Sequence, residues 1–202
     1  MTLHAPQRIA FAALCLLTLQ GARAQAPEES RFGLGLGAAY GQPAYREADT
    51  KVSPVPYILH ETRWTSVVGP TYDVKAFSTP TVSLRLRSRY GFGEGYEADD
   101  SPYLKDMAKR KPSFWLGGAA VWQTTFATLS AELLGDGSRK SKGTRFSLAI
   151  ERRFAFGRFD LTPRLAVQGL DHRYVDYYYG VRADEATALR PAYAGRSATS
   201  TE

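Results

Sequence analysis

Apolar and polar residues alternate along most of this chain, and that period of two limits the folds open to it more than any other feature. In an extended strand, successive side chains point to opposite faces. In VSLRLRSRY (82–90), Val82, Leu84, Leu86 and Tyr90 therefore share one side, and Ser83, Arg85, Arg87 and Arg89 the other. The same pattern recurs with Phe32, Leu34, Leu36, Ala38 and Tyr40; with Phe114, Leu116, Gly118, Ala120 and Trp122; and with Ala127, Leu129, Ala131 and Leu133. Further along, Phe146, Leu148 and Ile150 oppose Arg145, Ser147, Glu151 and Arg153, and Phe159, Leu161, Leu165 and Val167 oppose Arg158, Asp160, Thr162, Arg164 and Gln168. Segments of about ten residues separated by turn residues are the signature of a transmembrane barrel.

The start of the chain says where such a barrel would go. MTLHAPQRIAFAALCLLTLQGARA carries Arg8, an apolar run from Ile9 to Leu19, and small residues at Ala22 and Ala24 in an A-x-A pattern. This is the pattern of a secretory signal peptide, residues 1–24, cleaved before Gln25. The only cysteine, Cys15, leaves with it, so neither disulfides nor thiol chemistry are expected in residues 25–202. Arg8 and Arg23 leave too, which reduces the formal +6 of the whole chain to a mild excess. That balance suits anionic lipid or polysaccharide surfaces and gives no reason to expect nucleic acid.

After residue 24 no apolar stretch reaches the roughly 20 residues of a spanning helix. With 44% hydrophobic and 23% charged residues the chain has the composition of a folded protein. A soluble sheet would also alternate, but here the apolar faces end in Tyr40, Tyr90, Trp122, Phe154 and Phe159, as an interfacial girdle requires. The expectation is an all-β protein, an antiparallel transmembrane β-barrel in the outer membrane of a Gram-negative bacterium. Eight strands are expected, at 31–41, 54–63, 66–77, 81–92, 113–123, 126–134, 144–155 and 158–170, with 173–181 as a ninth candidate. If the N-terminus is periplasmic, four early strands put the long segment 93–112 on the periplasmic side, where long loops are unusual; one early strand is therefore expected not to span. Ser101 and Pro102 are placed to start a short helix within that segment.

Arg85, Arg87 and Arg89 are expected to face the lumen, where Glu132, Glu151 and Asp160, with Arg164 nearby, form a charge network. Such a network can attract anions through a pore or fill a small barrel as a charge-paired plug; pairing in low dielectric favours the plug. Catalysis has little support. His60 and His172 are isolated, a triad of His172 with Asp171 or Asp176 and Ser130 or Ser147 has no G-x-S-x-G motif around it, and no metal-ligand spacing is visible. GLGLG precedes no helix and is not a phosphate loop. No enzyme activity and no cofactor are expected. Tyr177, Tyr178 and Tyr179, read as strand residues, face both ways and suit an interfacial belt; a partner surface is the alternative.

DHRYVDYYYGVRADEA (171–186), followed by PAYAG (191–195), resembles the signature of the MipA/OmpV family of outer-membrane proteins, with Tyr178, Tyr179, Gly180, Val181, Glu185 and Ala186 its most specific part. GLGLGAAYGQPAY, VSPVPY (52–57) and LTPRLAVQ agree with it, as does YLKDMAKR, where Leu104, Met107 and Arg110 match a loop motif and Asp106 stands at a position the pattern gives to glycine. The resemblance implies scaffolding, with a lytic transglycosylase and a peptidoglycan synthase as partners beside outer-membrane lipid and lipopolysaccharide. A small-solute or anion pore and a lipid-modifying hydrolase are the alternatives. The family pattern continues beyond Gly195 with further strands, whereas 197–202 show no alternation and no terminal Phe; the sequence reads as a C-terminally truncated member.

Overall fold

The computed structural model describes residues 30–41 and 51–201, so the signal-peptide expectation for 1–24 lies outside the described residues. Its strands are β1 (Arg31–Gly41), β2 (Lys51–Glu61), β3 (Thr65–Val68), β4 (Thr71–Ser78), β5 (Val82–Tyr90), β6 (Phe114–Gln123), β7 (Thr128–Asp136), β8 (Thr144–Glu151), β9 (Phe154–Phe156), β10 (Phe159–Leu161), β11 (Arg164–Leu170) and β12 (Ala198–Thr201). A helix, α1 (His172–Tyr179), precedes β12. Ten strands make one antiparallel sheet in the order β1 to β8, then β11, then β12, while β9 and β10 form a separate hairpin. Among the described residues β1 and β12 are the sheet's two edges and do not pair with each other. No described helix is long and apolar enough to cross a membrane.

The alternation becomes a two-faced sheet. Leu84 and Leu86 on β5, Leu116 and Trp122 on β6, Leu133 on β7, Phe146 and Leu148 on β8, and Leu165 and Val167 on β11 all stand exposed on one face, Leu86 at 63%. Such a continuous apolar surface is rare on a soluble monomer and is what a lipid-facing sheet presents. The opposite, inner face holds Asp73, Ser83, Glu132, Ser147 and Gln168, all buried. The pairs Arg87 with Asp73 on one side and with Gly117 on the other fix this register.

Several expectations change. The span 66–77 is two strands, because Gly69, at φ 55°, and Pro70 make a tight turn between β3 and β4. Five strands rather than four therefore precede the segment 91–113. That segment emerges at the end of the sheet opposite the start of β1, together with 137–143 and 171–197. The tight turns 62–64, 79–81 and 124–127 and the β9–β10 hairpin lie at the other end, so the expected misplacement of the long loop disappears. Thr79 and Thr124 close two of these turns by accepting from the Val82 and Ala127 N–H groups at 2.8 and 2.9 Å. The expected strands 144–155 and 158–170 also break. Pro163 cannot donate to a ladder, its carbonyl accepts from Arg152 N at 3.2 Å, and Phe154–Leu161 folds back on itself.

The expected ninth strand, 173–181, is instead α1. Asp171 caps it by accepting from Tyr174 N at 2.8 Å. Its Tyr174, Val175 and Tyr178 then share a face that packs on Trp115 and Leu134, each 0% exposed. Tyrosines favour strands, but burial of a helical face outweighs that preference. Gly143 permits the contact, since a Cβ there would lie 2.7 Å from Tyr174 N. Beyond it, 198–201 form β12 against β11 despite lacking alternation; an edge strand pairs through its backbone.

Candidate functional site

Two layers of charge sit on the inner face. The deeper one is an arginine ladder on β5. Arg87 donates through Nε and Nη2 to Asp73 at 2.8 and 2.7 Å and through Nη1 to Glu132 at 2.7 Å. Arg89 donates both Nη groups to Glu132 at 3.0 Å, and Arg85 Nη1 reaches Asp73 at 3.2 Å. Glu132 lies two strands away on β7. The reach is possible because the β6 residues that lie between Arg87 and Glu132 on this face are the small Gly117 and Ala119, and a Cβ on Gly117 would collide with Leu133 O at 2.0 Å. Two carboxylates thus serve three guanidinium groups, the paired arrangement that low dielectric demands.

The second layer closes the long-loop end. Glu94, in segment 91–113, reaches onto the sheet and accepts from Trp115 Nε1 at 2.9 Å, Arg145 Nη1 at 3.0 Å and the Tyr178 hydroxyl at 3.1 Å. Arg145 also donates to Gln168 at 3.2 Å and stacks over Trp115. Its Nε is buried with no acceptor among the described residues. The Tyr178 hydroxyl also lies 3.0 Å from Ser113 Oγ, and burial, reinforced by the Glu94 charge, pushes its pKa far up. Tyr178 is a neutral donor that ties α1 to the sheet.

Above this lies a buried ion pair. Arg110 and Glu185 have side chains 2% and 4% exposed and meet at 2.8 and 3.1 Å. Arg110 also donates to the Tyr177 and Ala108 carbonyls, both at 2.8 Å. Glu185 accepts from Ala108 N at 3.0 Å and Arg182 N at 3.2 Å. Burial works to raise the Glu185 pKa, but the bonds from Arg110 and the two backbone N–H groups outweigh it and hold the carboxyl down at about 2. Tyr96, Leu104 and Met107 form a small core beneath, with Val181 against it.

The loop motif and the signature stretch are therefore one assembly. Leu104, Met107 and Arg110 come from one segment, and Tyr178, Gly180, Val181 and Glu185 from the other; Tyr179 packs half-buried at the first core, and Ala186 is exposed beside Glu185. Ser101 caps the expected short helix, a 3-10 turn over Pro102–Leu104, by accepting from Tyr103 N at 3.1 Å. Asp106 has φ 67°, the left-handed region where glycine is at ease, which explains the family pattern at this position.

Other expected site residues lie elsewhere. Asp160 pairs with Arg153 on the β9–β10 hairpin at 2.7 and 3.0 Å and does not join the ladder. Glu151 and Arg164 meet at 3.4 Å, their side chains 36% and 39% exposed, at the short-turn end. Tyr177 and Tyr178 face the inner assembly rather than an interfacial belt. His60 lies on the lipid-facing side beside Phe32, while His172 opens α1 at the opposite end; Asp171 is the helix cap, and Asp176 accepts from Gly195 N at 2.8 Å. Sequence reasoning missed Asp73, whose alternation with Lys75 was a usable signal, and Glu94, Arg145 and Trp115, whose convergence no local pattern announces.

The family model described as MltA-interacting protein MipA matches residues 34–202. The chain is 28% identical over 162 residues to the MltA-interacting protein of Escherichia coli K12 and 27% over 162 residues to the putative outer membrane protein YiaT of Escherichia coli O157:H7. Each match covers 78% of this chain and 64% of the relative, so the chain spans less than two thirds of their length. Outer membrane protein OmpV of Vibrio cholerae is 32% identical over 103 residues, 51% of this chain and 40% of OmpV. No solved structure matches.

Proposed function

This chain belongs to the MltA-interacting protein MipA family, and from that premise we propose that it is an outer-membrane scaffold that binds a cell-wall lytic transglycosylase, and through it a peptidoglycan synthase, at its short-turn end. It is an outer-membrane protein of the MipA/OmpV type. Within that reading, residues 1–24 are the export signal and 25–202 the membrane domain. Short turns in such proteins face the periplasm and long loops the exterior, which puts the tight turns beside the cell wall.

The observation that carries the proposal is the surface of that end. Trp64, Phe126, Phe156 and Phe159 are exposed there. The Arg152 guanidinium stacks 4.2 Å from the Phe126 ring centroid and 4.9 Å from that of Phe154, and Arg63 lies 4.9 Å from Trp64. Aromatic and arginine side chains are the anchors that dominate protein interfaces. Gly157, at φ 63°, turns the β9–β10 hairpin in two residues and holds Phe156 opposite Phe159. The paired state of the inner ladder supports a binding role over an anion pore, since Arg85, Arg87 and Arg89 all already donate to carboxylates.

The test is equilibrium binding of the purified full chain to a lytic transglycosylase of the MltA type. Binding that falls at least tenfold in a Phe156→Ser/Phe159→Ser variant supports the scaffold. No binding, or binding unchanged in the variant, refutes it. A planar-bilayer measurement addresses the pore: steady conductance altered by Arg87→Ala would favour that reading instead.

A further inference from the structure

The lipid-facing side has a hollow at the long-loop end that the reading above does not use. Leu116 on β6, Gly135 on β7 and Thr144 on β8 pair side by side there. Gly135 leaves its floor open, since a Cβ built on it meets nothing within 4 Å. The hollow measures about 630 Å³ and is bounded above by Gly137, Arg139 and Lys142 of the β7–β8 turn. A second hollow of about 360 Å³ adjoins it across Thr144, over Gly169.

The turn is rigidly built. The Asp136 carboxylate accepts from Ser138 N and Oγ at 2.9 and 2.7 Å, from Ser141 N and Oγ at 2.6 and 2.9 Å, and from Lys142 N at 3.1 Å. That carboxylate is thus enclosed by donors. Lys140 is used as well, donating to Pro112 O at 2.6 Å. Arg139 and Lys142 have no acidic partner among the described residues, and both hold left-handed backbone at φ 56° and 53°. Non-glycine residues in that region carry strain that persists where surrounding structure imposes it. Their height is set by Phe114, an exposed aromatic whose carbonyl accepts from Gly137 N at 2.9 Å. It pairs with the exposed Tyr90, and on the outer-membrane reading this aromatic pair belongs to the interfacial belt, which would put the two cations at headgroup depth above an apolar trough.

We infer that this hollow binds a phosphorylated, acylated sugar lipid of the outer leaflet, one acyl chain lying over Gly135 and a phosphate held by Arg139 and Lys142. The argument rests on charge complementarity and on continuity with the lipid-facing sheet. It depends on the outer-membrane reading with the long-loop end outward. Arginine and lysine together match a phosphate monoester on such a sugar, which carries up to two negative charges where a phospholipid's phosphodiester carries one.

The test is native mass spectrometry of the detergent-purified full chain titrated with Kdo2-lipid A, with phosphatidylglycerol and with inorganic phosphate. Lipid A should bind at least tenfold more tightly than phosphatidylglycerol. It should lose at least tenfold in Arg139→Ser/Lys142→Ser and in Gly135→Leu, and be retained in Arg139→Lys/Lys142→Arg, which keeps the charge and checks the fold. Equal binding of both lipids, equal binding by the serine variant, or complete displacement by inorganic phosphate would overturn the inference. A chain that does not enter detergent micelles would instead overturn the outer-membrane reading beneath it.

Discussion

Replacing Glu185 with alanine removes one half of the most enclosed ion pair described here and leaves the Arg110 guanidinium, 2% exposed, without its carboxylate. Arg110 keeps its bonds to the Tyr177 and Ala108 carbonyls, but Ala108 N and Arg182 N lose their acceptors. Breaking a buried pair from one side costs about 3–5 kcal/mol. The loss is local, because the sheet hydrogen bonds do not pass through this pair; it should open the cap formed by 96–113 and 180–195 while the strands persist. Trypsin reads that opening at Lys105, Lys109, Arg110 and Arg182. Where reclosing is faster than cleavage, the rate follows the open population, so cleavage should accelerate by about a hundredfold to a few thousandfold at tenfold per 1.4 kcal/mol. Arg110→Met/Glu185→Leu removes both charges and should restore most of the protection. Acid should act in the same direction. The Glu185 pKa falls from 4.5 to about 2 on folding, so its contribution is complete above pH 4.5 and is lost as the pH drops towards 2. Cleavage of Glu185→Ala within threefold of the parent chain would refute the assignment of this pair as the clasp of the cap.

Three further outcomes are expected. Glu132→Ala strips Arg89 of both Nη acceptors and Arg87 of one, and should lower stability against urea in detergent by about 3–5 kcal/mol; a loss under 1 kcal/mol would mean that the ladder is solvated rather than buried. Leu86→Arg, on the exposed apolar face, should cost about 2–4 kcal/mol in bilayers if that face meets the hydrocarbon, and almost nothing if it meets water. At the left-handed Asp106, glycine should be neutral or stabilising, whereas Asp106→Val should destabilise the cap by about 1–2 kcal/mol; equal proteolysis of the two variants would contradict the backbone argument.

The sheet was legible because its information is local. Alternation at Leu84, Arg85, Leu86 and Arg87 assigns faces within a few residues, and lipid on one side with packed charge on the other leaves little freedom in how they are used. The arginine ladder was legible in part: Glu132 could be named from its phase on β7, while Asp160 carried the same sign and lay in the hairpin instead. What a local pattern could not show was where the chain reverses. Gly69 and Pro70 split one expected strand, which moved the long segment to the other end of the sheet, and Pro163 split another.

The sequence by itself determined an all-β, two-faced sheet of outer-membrane type and the family to which its motifs point, because period-two patterning and short motifs are read along the chain. Only the tertiary structure decided that 172–179 is a helix, that Glu94 gathers Trp115, Arg145 and Tyr178, and that Arg110 finds Glu185 across 75 positions of sequence. Those outcomes depend on burying an aromatic face and pairing charges between distant segments, and their energies exist only once the sheet has brought the segments together.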